Sequence, residues 1–148
     1  MIAKRCASIL LLIFISAASA ASESQFAIKQ AHADSHGVTL QTVSGTMRVE
    51  VCGDRVIHVM VSHTFDIPSP KVPIVTQPCR ANNVQVDLGN TGARVSTAAV
   101  TVTVDTASGA VTFLSRDGKT LLAEPKQGGK SFDRRGRTEH STRCAVRV

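Results

Sequence analysis

From Val100 to Glu124 the chain reads VTVTVDTASGAVTFLSRDGKTLLAE. Val100, Val102 and Val104 alternate with Thr101 and Thr103, the period of two that turns one face of a strand inward and the other to water. Ser108-Gly109 and Asp117-Gly118 interrupt the run, each with a glycine able to supply the positive φ of a tight hairpin. The stretch predicts three short antiparallel strands. Their apolar face has to be covered by a second sheet.

The same grammar holds upstream. A first run covers Val38–Val43, and a turn at Ser44-Gly45 leads into Met47–Cys52, where Val49 and Val51 alternate with Arg48 and Glu50. Gly53-Asp54 turns the chain into Arg55–Ser62, which is apolar on both faces and therefore predicts cover from both sides. Phe65–Pro78 carries four of the five prolines and is excluded from a sheet interior, so it predicts an extended crossover. Val84, Val86 and Leu88 alternate in another strand, and a short one at Val95–Thr97 precedes the meander. No segment outside the first twenty residues carries a helical period. The expected fold class is all-β, an antiparallel β-sandwich.

The ends have a different character. Lys4 and Arg5, the apolar run Ile9–Ile15 and the small residues Ala18-Ser19-Ala20 follow the order of a secretory signal peptide cut after Ala20. The alternative is an N-terminal membrane anchor, which the shortness of the apolar run disfavours. Residues 21–36 are polar and predict a flexible leader, residues 37–132 the sandwich domain, and residues 133–148 a disordered basic tail with no alternation. An exported protein is expected, periplasmic or extracellular, with no membrane attachment after cleavage.

The net charge of +6 does not mark a nucleic-acid partner, because between residues 21 and 132 ten basic groups face nine acidic ones. A nucleic-acid surface needs a basic stripe on the folded body with aromatic rings to stack on bases, and the chain has neither Trp nor Tyr. No nucleic-acid partner is expected.

Chemistry-bearing residues are sparse. Cys52 and Cys79 can pair as a disulfide in an oxidising compartment, leaving Cys144 over, or they can serve as small buried apolar residues. His32 and His36, with Asp34 beside them, could share a metal, but no third ligand of suitable spacing follows, and a solvated segment is the better reading. Asp54, Asp105 and Asp117 lie beside hairpin turns, where aspartate caps the turn's own backbone. Asp66 and Asp87 have no partner of readable spacing. His58, inside the apolar strand, reads as a hydrogen-bonded structural histidine, with His63 just beyond it. His58 with Glu50 is the least poor acid–base pair if the sandwich were itself an enzyme such as an epimerase. There is no nucleophile elbow, phosphate loop or metal-spaced Cys/His set. Catalytic, cofactor-binding and metal-binding residues are all expected to be none, and no cofactor is expected.

The stretch TMRVEVCGDRVIHVMVS, the linker PSPKVPIVTQP and above all VSTAAVTVTVDTASGAVTFLSRDGKTLLAE resemble the N-terminal domain of glycoside hydrolase family 31, over about residues 37–132. The resemblance implies part of a galactose-mutarotase-like β-supersandwich, a kinship with α-glucosidases and α-xylosidases, and a catalytic (β/α)8 barrel as partner. It also implies that the aspartate nucleophile and the acid/base aspartate belong to that barrel, and neither maps onto a residue here. The expected role is a non-catalytic N-terminal domain or fragment of an exported α-glycosidase. The alternative is an independent secreted sandwich that binds carbohydrate or a partner protein, and the lack of Trp and Tyr platforms weighs against the carbohydrate form.

Overall fold

The fold comes from a computed structural model that describes residues 23–64, 66–67, 79, 83–126 and 130, together with the backbone of 142–147. Ten strands form two antiparallel sheets of five. The first sheet contains β1 (Ile28–Asp34), β2 (Gly37–Thr42), β3 (Gly45–Gly53), β4 (Val56–Ser62) and β10 (Thr142–Arg147), in that spatial order. The second is a continuous meander of β5 (Gln85–Gly89), β6 (Gly92–Ser96), β7 (Val100–Asp105), β8 (Val111–Ser115) and β9 (Thr120–Ala123). No helix interrupts either sheet among the described residues. The all-β sandwich is therefore observed, and turns at 54–55, 106–108 and 116–117 fall where glycine, serine and aspartate predict them.

Alternation explains the core. Val38 and Leu40 of β2, Met47, Val49 and Val51 of β3, and Ile57, Val59 and Val61 of β4 point inward from the first sheet. They meet Ala93 and Val95 of β6, Val100, Val102 and Val104 of β7, and Val111 and Phe113 of β8. Side chains of this kind each gain about 1.5–3 kcal/mol from full burial, and two packed sheets are the geometry that buries both inner faces together. β4 is covered on its outer face as well, since Met60 is buried there beside the inward Val59 and Val61. That agrees with its two-sided apolar pattern.

The segment before β1 closes one end of the sandwich. Phe26 is buried in the core, and the backbone around it ties the two sheets together. The Ile28 N–H donates to the Thr106 carbonyl (2.8 Å), Val43 N–H to Ala27 (3.0 Å) and Ser44 N–H to Gln25 (3.0 Å). Gly109, in the β7–β8 turn, lies against this plug with φ +68°. A Cβ there would stand 2.7 Å from Phe26 Cβ and closer still to the Phe26 carbonyl oxygen, so glycine is required by both conformation and space.

Strands also lie in the segments expected to be a leader and a tail. The polar leader contains β1, paired with β2 from Ile28↔Thr42 to Asp34↔Gly37. Six of its seven side chains are exposed. Main-chain pairing along an open sheet edge needs no apolar alternation, so the strand left no period in its side chains. The basic tail contains β10, whose backbone pairs with β4 from Thr142↔Val61 to Arg147↔Val56 for the same reason. Residues 1–22, where a signal peptide is expected, most of the proline-rich crossover and residues 131–141 lie outside the described residues.

Candidate functional site

The densest grouping of reactive side chains lies on the outer face of the β3–β4 hairpin. Because Val49 and Val51 face the core, Glu50 must face outward, and the register places His58 of β4 directly opposite it. The pairing slips between Val51 and Gly53, and Cys52 occupies that irregularity. An extra residue in one strand bends it and re-aims a side chain, here toward His58. Cys52 Sγ lies 3.3 Å from His58 Nδ1. Cys79, from the far end of the crossover, brings its Sγ to 3.9 Å from the same nitrogen.

Cys52 and Cys79 are joined as a disulfide across a sequence separation of 27, which resolves the open alternative in favour of pairing. Glu50, Cys52, His58 and Cys79 are all half-buried, and one ligand-type atom from each lies within 4.8 Å of the others. Among the described residues this is the one such grouping of three or more. While the sulfurs are bonded to each other they carry no charge, and the site is a cross-link with an imidazole against it. As separate thiolates they would complete a four-donor set. Spacing along the chain could not reveal this, since the group depends on β3–β4 register, on the irregularity at Cys52 and on the return of a residue 27 positions away. The one available signal was the alternation of Glu50 with Cys52 on the strand opposite His58.

The other candidates separate. His32 is exposed on β1, and His36 sits in the β1–β2 turn with its Nδ1 2.9 Å from Ser35 Oγ. Asp34 does not pair with either imidazole. Arg48 donates to its two carboxylate oxygens at 2.6 and 3.0 Å and to Thr39 Oγ1 at 2.9 Å, a clamp across β1, β2 and β3. The Arg48 hydrogen bonds, opposed in part by desolvation, hold the Asp34 carboxyl down to about 2.

Turn aspartates behave as turn aspartates. Asp105 Oδ1 accepts from the Ser108 N–H (2.9 Å) and Oγ (2.7 Å), and these bonds lower its pKa, with Lys126 3.6 Å from Oδ2. Asp117 accepts from Ser115 Oγ at 2.5 Å, and that bond lowers its pKa. Asp54 is exposed in the β3–β4 turn, where its carbonyl accepts from Thr97 Oγ1 at 2.7 Å. Asp66 offers its carbonyl to Thr64 Oγ1 at 2.7 Å. Glu124 accepts from the Val111 N–H (2.9 Å) and forms an ion pair with Lys130.

Away from this grouping, an open groove of about 560 Å³ runs over the outer face of the meander. Its floor is the cross-strand row Asp87, Arg94, Thr103, Thr112 and Ala123. No aromatic ring lines it. The stacking surface that pyranose rings use is therefore missing from this groove.

No family model matches the chain. Solved structures do resemble it. An α-xylosidase of glycoside hydrolase family 31 from Xanthomonas citri matches with a TM-score of 0.53 and 26% identity, over 66% of this chain and 11% of its own. A family 31 α-xylosidase from a soil metagenome, complexed with xylose, matches at 0.57 and 18%, over 65% and 14%. A family 31 dextranase from Flavobacterium johnsoniae, complexed with glucose, matches at 0.59 and 12%, over 76% and 14%. The fold resembles one part of each of these family 31 enzymes. It agrees with the N-terminal domain that the sequence resembles. The chain spans only 11–14% of the length of these three family 31 enzymes.

Proposed function

We propose that this domain is a non-catalytic N-terminal sandwich of an exported family 31 α-glycosidase, and that it supports a catalytic barrel carried outside these residues. The observation that carries the reading is the two-sheet fold shared with family 31 xylosidases and a dextranase. The state of the carboxylates supports it. Glycoside hydrolysis by a retaining route needs two carboxyl groups about 5–5.5 Å apart, one free to attack and the other able to protonate the leaving oxygen. Asp34, Asp105, Asp117 and Glu124 are instead engaged with Arg48, Ser108, Ser115 and Lys130. Leu88 on one edge strand of the meander and Leu121 and Leu122 on the other are 42–47% exposed, which suits further packing against the rest of an enzyme.

Expression with the native leader in a Gram-negative host provides the test. The chain should be recovered outside the cytoplasm with Ala21 as its N-terminus. The purified protein should release no nitrophenol from aryl α-xylosides or α-glucosides above a buffer blank. Retention of Met1 in the cytoplasm would overturn export. Turnover that is abolished by replacing Asp54, Asp66 or Asp87, with the fold intact, would overturn the scaffold role.

A further inference from the structure

We propose that Glu50, Cys52, His58 and Cys79 form a zinc site when the Cys52–Cys79 bridge is reduced, so that disulfide and metal are alternative cross-links of the same two strands and crossover. The inference does not depend on the glycosidase reading. Zinc in a closed structural site takes four ligands at about 2.0–2.3 Å in a tetrahedron, which sets neighbouring donor atoms roughly 3.3–3.8 Å apart. The distances from His58 Nδ1 to the two sulfurs, 3.3 and 3.9 Å, already bracket that edge. All four donors lie within 4.8 Å of one another, so the carboxylate needs little displacement to join them. The two sulfurs have to separate from bonding distance, and rotation of the cysteine side chains provides that movement once the bond is broken.

The donor set also fits zinc chemically. Two thiolates and an imidazole are the ligands that borderline-soft zinc prefers, and a carboxylate is an accepted fourth. Three of the four come from one hairpin, with Glu50 and His58 fixed as direct cross-strand partners. Each residue is half-buried, enough to limit competition from water while leaving an entry path. The conversion balances. A dithiol reductant delivers two electrons and two protons, the Cys52–Cys79 bond breaks to give two thiols, and the reductant leaves as its own disulfide. Zinc then binds the two sulfurs as thiolates and releases both protons to solvent. In an oxidising compartment the reverse transfer to a disulfide oxidant restores the bridge and expels the metal.

The test uses the full chain with Cys6 and Cys144 replaced by serine, so that sulfur signals report only this pair. Reduced with a phosphine and freed of metal by chelation, it is titrated with cobalt(II). We expect one equivalent bound, with the intense d–d bands of tetrahedral cobalt and sulfur-to-cobalt charge transfer, both lost on adding zinc. The oxidised protein should show neither. His58→Ala and Glu50→Gln should each weaken binding by more than the roughly 10–100-fold typical of outer-shell partners. Circular dichroism of each variant separates loss of a ligand from loss of fold. If His58→Ala does not fold, His58→Gln serves in its place. Weak octahedral spectra, equal binding by the oxidised chain, or binding indifferent to both His58 and Glu50 would each overturn the proposal.

Discussion

The outer faces of the two sheets solve the same problem in opposite ways. In the hairpin turns of the meander, polar groups are satisfied by near neighbours in sequence: Asp105 by Ser108, and Ser115 by Asp117 and Lys119. On the first sheet the ties are long. Arg48 reaches back fourteen residues to Asp34, and Cys52 reaches forward 27 to Cys79. The difference teaches where chemistry can hide. A turn closes on itself and advertises its residues in one short string, whereas a cross-strand group exists only after register and crossover have been set.

The largest expected effect is on the long tie. Cys52→Ser in the oxidised protein removes a cross-link that closes a loop of 27 residues, and such loops cost about 3 kcal/mol of stability when opened. Urea titration should show the unfolding free energy falling by about that amount, and wild type treated with a phosphine, without zinc, should match the variant. A variant as stable as the oxidised wild type would mean that the first sheet is held by its core alone, and the contrast between the faces would lose its energetic content.

What was legible follows from the same contrast. The strands from β7 to β9 and their two turns were readable, because Val100, Val102 and Val104 display the period of two and Gly109 and Gly118 mark the reversals. The core of β2 to β4 was readable for the same reason. β1 was not, since His32 and its neighbours all face water and only the backbone does the pairing. β10 escaped notice because backbone pairing along β4 leaves no period in its sequence. Of the candidate site, Cys52 with Cys79 could be posed as a pair, and His58 with Glu50 as another. Their convergence could not be posed, because it depends on the β3–β4 register and on the return of Cys79 from 27 residues away, which no short string displays.

On the meander side the strongest perturbation is Gly109→Ala. The left-handed φ and the clash with Phe26 together should cost about 2 kcal/mol, less than the disulfide but more than any polar change on that sheet. The melting temperature should fall, and amide exchange should quicken first at Ile28, whose N–H is held by Thr106. Unchanged stability would show that the plug around Phe26 is not seated against the turn.

Next in size is Asp105→Ala, which leaves the Ser108 N–H and hydroxyl without their acceptor. Losing such a part-buried capping interaction costs about 1 kcal/mol. Asp105→Asn keeps a carbonyl acceptor and should recover most of it. Equal losses for both variants would point to the carboxylate charge, through Lys126, rather than to the local turn. The meander would then no longer be the self-contained face described above.

The smallest effect, and the one with a defined pH signature, belongs to the Asp34–Arg48 clamp. Asp34 has a folded-state pKa of about 2 against an ordinary 3.8, principally because Arg48 donates to its carboxylate. A depressed carboxyl pKa stabilises the fold above the unfolded value, and that contribution drains away as the pH falls from 3.8 through about 2. The Asp34 side chain is 40% exposed, so solvent screening limits the gain to less than about 1 kcal/mol. Asp34→Asn preserves an acceptor for the His36 N–H and removes the charge together with the second acceptor for Arg48. The variant should therefore be slightly less stable than wild type at pH 7, and the two should converge near pH 2. High salt at neutral pH should narrow the gap in the same way, because the pair is exposed. A gap that persisted unchanged at pH 2 would mean that Asp34 acts through packing or its turn. β1 would then be held to the first sheet without a contribution from the Asp34–Arg48 charge pair.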